Sequence, residues 1–103
     1  MNLRNLFGMG GTDDFKSVYD NGAIVVDVRT PQEYEMGCFT PSKNIPMDTI
    51  SDNMDFFKNA EKPIILVCRS GGRAGTVKNQ LASVGVEALN GGGWDSFEAA
   101  VNS

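Results

Sequence analysis

Cys68 closes an apolar run, Pro63-Ile64-Ile65-Leu66-Val67, and is followed at once by Arg69-Ser70-Gly71-Gly72-Arg73. This pattern has chemistry in it. The two glycines let successive peptide N–H groups turn inward with no Cβ in the way. The arginines bring full positive charge, Ser70 adds a hydroxyl donor, and a helix beginning after the loop contributes the positive end of its dipole. Such a loop cradles an anion. A sulfur held at its centre should ionise readily, since thiolate character follows an electropositive, exposed setting. Cys68 would then be a nucleophile that needs no base. Two plainer readings compete: a cysteine after an apolar run as a small core residue, and a phosphate-binding loop in which the cysteine is incidental. The latter loses support because neither G-x-G-x-x-G nor a Walker ending in Lys-Ser/Thr is present.

The rest of the composition narrows the choice. The chain of 103 residues contains no histidine, so imidazole bases, imidazole metal ligands and Cys-His or Ser-His pairs are excluded. Its formal charge is −4 and its sequence pI about 4.6, against a nucleic-acid surface. Two cysteines, Cys38 and Cys68, are too few for a disulfide framework or a four-ligand zinc site. No metal site is expected. The first eleven residues carry no apolar segment of signal or membrane length, so the expectation is a soluble cytoplasmic protein, or a periplasmic one from which a leader has been removed. The length suits one domain over residues 1–103, with residues 1–11 as a flexible or loosely packed arm.

Positioning the loop requires elements on both sides of it. β-Branched and apolar runs predict strands over residues 23–28 and 63–68, with a weaker strand over 86–90. Helices are predicted over 12–20, capped by Thr12 or Asp13, and over 30–37, with Thr30 as cap, Pro31 in the first helical position and Glu33 completing a capping box. Further helices are expected over 51–60, from Arg73 or Ala74 to a stop at Gly85, and over 94–101. Strands apolar on both faces and separated by helices predict an α/β domain, with a mainly parallel sheet of about four to five short strands and helices on both faces. Sites in such folds lie where strands end and helices begin.

Four segments in order resemble the rhodanese (thiosulfate sulfurtransferase) family in its stand-alone single-domain form. They are Val26 onward, VDVRTPQEYEMG; Asn44-Ile45-Pro46; the loop VCRSGGRA; and NGGGWDSF from Asn90, read as a Gly-rich turn into the last helix. Together they span roughly residues 12–100. Loop length separates this family from thiolate phosphatases. Four residues lie between Cys68 and Arg73, whereas the phosphatase pattern wants five, and the residue there is Ala74.

The resemblance implies a rhodanese-like fold and a two-step transfer. Cys68 takes sulfur from a small anionic donor such as thiosulfate, then passes it from a persulfide to cyanide, a thiol or a sulfur-accepting protein. No cofactor, nucleic acid or membrane is implied, and a monomer is expected. Arg69 and Arg73 are the candidates for holding the donor, with one of them alternatively turning back to pin the loop. Gly71, Gly72 and Ser70 line the cradle. Asp27 and Arg29 are assigned structural support, tying strand end to neighbouring loops. Glu33 is assigned a helix cap, and Trp94 and Phe97 core packing. Where the family commonly has His-Ile-Pro-Gly, this chain has Cys38-Phe39-Thr40-Pro41, so that connection should be shaped differently. Cys38 is read as an isolated half-buried residue, or else as a partner resolving Cys68 as a disulfide. The alternatives to catalysis by sulfur transfer are a non-catalytic carrier or interaction module, a thiol redox protein using Cys38 and Cys68, and a Cys-dependent phosphatase.

Overall fold

The computed structural model describes residues 12–103. The arm expected over residues 1–11 and the side-chain cap expected at Thr12 or Asp13 lie outside the described residues and side chains. In chain order come α1 (Thr12–Asp20), β1 (Ile24–Asp27), α2 (Pro31–Glu35), β2 (Lys43–Asn44), single 3-10 turns at Met47–Thr49 and Ser51–Asn53, α3 (Met54–Asn59), β3 (Ile64–Cys68), α4 (Gly72–Ala82), β4 (Leu89–Gly93) and α5 (Trp94–Val101). The four strands form one sheet, wholly parallel, in the order β2-β1-β3-β4.

A parallel sheet must be covered on both faces, and the alternation along β3 shows how. Ile64, Leu66 and Cys68 point into a cluster with Ile50, Phe57, Ala74, Val77 and Leu81. Ile65 and Val67 point the other way, into a cluster with Val18, Phe39, Phe97 and Val101. Every residue of β3 is buried. At about 1.5–3 kcal/mol for each fully buried aliphatic side chain, this strand is a firm base for whatever stands at its end. β1 is its neighbour, with Asp27 in register with Val67, so both central strands end at the same rim.

Helix α2 forms as its residues dictate. Thr30 accepts from the Glu33 N–H, the Glu33 carboxylate accepts from the Thr30 N–H, and Pro31 opens the helix. The connection after it carries a cis Thr40–Pro41 peptide bond. The Tyr34 hydroxyl donates to the Ser42 carbonyl at 2.7 Å, and Ser42 Oγ to the Phe39 carbonyl at 2.6 Å, bracketing that connection. Burial raises the Tyr34 pKa above its ordinary value.

Two expectations are corrected. The strand expected over 86–90 forms three residues later, because Val86 is taken up in closing α4. Its N–H reaches back to the Leu81 carbonyl at 2.9 Å while Gly85 turns at φ 83. The glycines read as a turn are therefore the strand itself. A Cβ on Gly91 would come within 2.7 Å of the Ile65 side chain, and one on Gly93 within 2.7 Å of the Arg69 carbonyl. Close approach to β3 outweighs the poor strand propensity of glycine. Second, α4 starts at Gly72 rather than Arg73 or Ala74. Gly71, in the left-handed region at φ 99, serves as its N-cap, and the Gly71 carbonyl accepts the Gly75 N–H. Arg73 thus belongs to the first helical turn, not to the loop.

Candidate active site

Cys68 stands at the C-terminal end of β3, facing the start of α4. Its Sγ accepts the Gly71 N–H at 3.0 Å and the Ala74 N–H at 3.4 Å. Peptide hydrogens are therefore aimed at the sulfur, one from the loop and one from the helix rather than from Gly72, and the first comes from the residue whose positive φ only glycine readily adopts. Such donated bonds, together with the dipole of an eleven-residue helix, surround the sulfur with the positive ends of peptide groups. The expectation of an exposed thiol is not met: the residue is 1% exposed. The reason is the strand alternation, which turns Cys68 inward onto Ala74 and the α4 side of the core.

Asp27 and Arg29 form a self-contained unit at the end of β1. The Arg29 guanidinium donates from Nε to both Asp27 oxygens at 3.0 Å and from Nη2 to Oδ2 at 2.8 Å. The same Nη2 donates to the Gly37 carbonyl at 2.7 Å and Nη1 to the Glu33 carbonyl at 3.3 Å. Asp27 is fully buried and Arg29 only 5% exposed. Hydrogen bonding to Asp27 raises the Arg29 pKa further above its ordinary value. The bonds tie the strand end to itself, to α2 and to the chain just after α2, in the geometry of structural support.

The two loop-flanking arginines differ. Arg73 meets the Glu33 carboxylate with two bonds, Nη1 to Oε1 at 2.6 Å and Nη2 to Oε2 at 3.0 Å. This bidentate pair joins the first turn of α4 to the capping box of α2. It draws the Glu33 pKa down to about 2, with the Thr30 N–H contributing, and raises that of Arg73. Glu33 therefore caps one helix and anchors another. Arg69 forms no ion pair among the described residues and is exposed, as is Ser70. It lines a cleft of about 280 Å³ with Arg29, Glu33, Met36, Gly37, Trp94 and Asp95. Phe97 is core, in edge-on contact with Tyr19 and Phe39. Trp94 is only half-buried: it lies 5.2 Å from the Arg29 guanidinium and forms one wall of that cleft. Both cysteines are free, with Cys38 half-buried beside Tyr34 and Arg29.

Two residues escape the sequence reading. Asn44 donates from Nδ2 to the carbonyls of Asp27 and Arg29, holding β2 to the rim. Asn90 donates from Nδ2 to the Gly71 carbonyl at 3.0 Å and accepts the Gly92 N–H on Oδ1 at 2.9 Å. An asparagine before glycine signals a turn, but its partner nineteen residues away on the loop has no local signature.

A parallel α/β sheet with a cysteine at a strand end, under a short amide loop leading into a helix, is the arrangement of a rhodanese-type domain. Residues 12–100 match the rhodanese-like domain family model. The chain belongs to the rhodanese-like domain family. Among curated proteins it is similar to the thiosulfate sulfurtransferase GlpE of Pseudomonas fluorescens, at 32% identity over 75% of this chain and 72% of that one. Among solved structures it resembles a rhodanese-like domain protein of Staphylococcus aureus, at 36% identity and a TM-score of 0.72 over 84% and 86% of the two chains. A Staphylococcus saprophyticus protein aligns at 41% identity and a TM-score of 0.66 over 73% and 75%.

Proposed function

We propose that this protein is a sulfurtransferase that carries sulfane sulfur as a persulfide on Cys68. The observation that supports it is the pair of N–H bonds from Gly71 and Ala74 onto Cys68 Sγ, at the positive end of α4. In the first step the Cys68 thiolate attacks the outer sulfur of thiosulfate. The donor S–S bond breaks, sulfite leaves with the bonding pair, and a new S–S bond stands on Cys68. In the second, the carbon of cyanide, or a thiolate, attacks that outer sulfur and returns Cys68 to thiolate. The loop amides act on sulfur as an oxyanion hole acts on oxygen. With Arg73 engaged by Glu33, Arg69, which has no ion pair among the described residues, is the cation we assign to the donor's sulfonate. Because the thiol is 1% exposed, it must turn outward, or the loop lift, before attack.

Incubation with thiosulfate should raise the intact mass by one sulfur atom, and Cys68→Ser should abolish both that gain and thiocyanate formation. An unchanged wild-type mass with a free thiol would defeat the reading. The burial of Cys68 favours one alternative, a non-catalytic carrier or interaction module. Sustained turnover with cyanide or small thiols argues against it, and loading without turnover argues for it.

A further inference from the structure

We propose that Asn90, on β4, is a positioning residue for Cys68, setting the loop peptide that faces the sulfur; the inference rests on Cys68 being the sulfur carrier. The strand pairing is where the geometry starts. β4 pairs with β3 at Leu66–Asn90 and again at Cys68–Gly93, so three steps on β4 match two on β3. The extra residue is a bulge within Gly91 and Gly92, where Gly92 turns at φ 80. Bulges of this kind re-aim side chains beside sites. Here the bulge is closed by Asn90 Oδ1 accepting from the Gly92 N–H at 2.9 Å.

The other end of the same amide reaches the loop. Nδ2 donates to the Gly71 carbonyl at 3.0 Å, and that carbonyl also accepts the Gly75 N–H at 2.9 Å. Two donors on one carbonyl hold the residue whose own N–H makes the shorter bond to Cys68 Sγ, at 3.0 Å. Two glycines lie against this side chain. A Cβ on Gly75 would crowd Nδ2 at 3.3 Å, and Gly71 touches Oδ1 in ordinary contact while its own Cβ would crowd the Gly92 backbone at 3.3 Å. The amide's orientation follows from its partners, because a carbonyl can only accept and an N–H can only donate. Asn90 touches neither sulfur nor donor. It acts through Gly71.

The test uses Asn90→Asp and Asn90→Ala. The aspartate keeps shape and the bond from Gly92, but turns the Nδ2 donor into an acceptor facing the Gly71 carbonyl; alanine removes both bonds. The charged groups on the neighbouring elements are Arg69, Arg73 with Glu33 from α2, Asp27 with Arg29 from β1, and Asp95 at the start of α5, and all are unchanged in both variants. Alkylation of Cys68 by iodoacetamide, with a Cys38→Ser background to isolate the signal, is measured against pH. For Asn90→Asp the expected result is alkylation about tenfold slower at neutral pH, with the profile displaced upward by about one pH unit, the size of one bond to a charged atom. Asn90→Ala should show a smaller displacement in the same direction, with kcat for sulfur transfer reduced and the KM for thiosulfate unchanged. Profiles superimposable on the wild type in both variants, with only the melting temperature lowered, would overturn the proposal. Should neither variant fold, wild-type NMR decides. A slowly exchanging Asn90 side-chain amide supports the role, and a solvent-averaged one overturns it. Alkylation needs no sulfur transfer, so a wild-type protein that fails to load sulfur defeats the enzymatic reading while the Asn90 result is read independently.

Discussion

The ends of β1 and β3 lie side by side at one rim of the sheet, yet they are built in opposite ways. At β1, the Asp27 carboxylate and the Arg29 guanidinium satisfy each other, and the remaining guanidinium donors go to the Glu33 and Gly37 carbonyls. At β3, the hydrogen bonds to Cys68 among the described residues come from peptide N–H groups, and Arg69 is left without an ion pair among those residues. A buried charge that finds its opposite contributes architecture. Donors gathered around a polarisable atom with no cation bonded to it leave capacity for an incoming anion. Between the two ends stands the Glu33–Arg73 pair, which joins α2 at the β1 end to the start of α4 at the β3 end.

The comparison can be broken most forcefully at Asp27. Asp27→Ala leaves Arg29 buried without its counter-charge, and denaturant unfolding should show a loss of about 3–5 kcal/mol. A loss near zero would mean that the pair is not the structural unit its geometry indicates. A smaller effect, on the reactive side, is expected from Arg69→Ala. The KM for thiosulfate should rise about tenfold, the worth of one charged hydrogen bond, with kcat and unfolding unchanged. A fall in kcat at constant KM would instead assign Arg69 to the chemistry.

The smallest effect sharpens the link between the two. The Glu33 pKa in the folded protein lies near 2, below the ordinary 4.5, so the pair's stabilisation is complete above 4.5 and is lost as pH falls from there through 2. Stability measured across that acid window should decline less in Glu33→Gln than in the wild type. At neutral pH the variant, with Arg73 released, should lose a modest part of kcat. Identical acid profiles in the two proteins would remove the pair from the account.

Much of this was legible beforehand where the physics is local. Thr30, Pro31 and Glu33 announce a capped helix within four consecutive residues, and Ile64 to Cys68 announce a strand buried on both faces. The loop glycines beside Cys68 carried the site. What escaped depended on distant neighbours. β4 was displaced because its glycines are chosen by the proximity of Ile65 and the Arg69 carbonyl, not by propensity. Arg69 and Arg73 looked equivalent in sequence, and only a carboxylate forty residues away separates them.

By itself, then, the chain order determined the class of fold, the family and the candidate site at Cys68, since hydrophobic period, helix caps and a glycine-rich turn after a cysteine act over a few residues. Tertiary structure alone decided that the sulfur is buried, which arginine pairs with Glu33, and that Asn90 reaches the loop. Each of those depends on which side chains a parallel sheet brings to one rim, and hydrogen bonds between groups far apart in sequence leave no periodic trace along it.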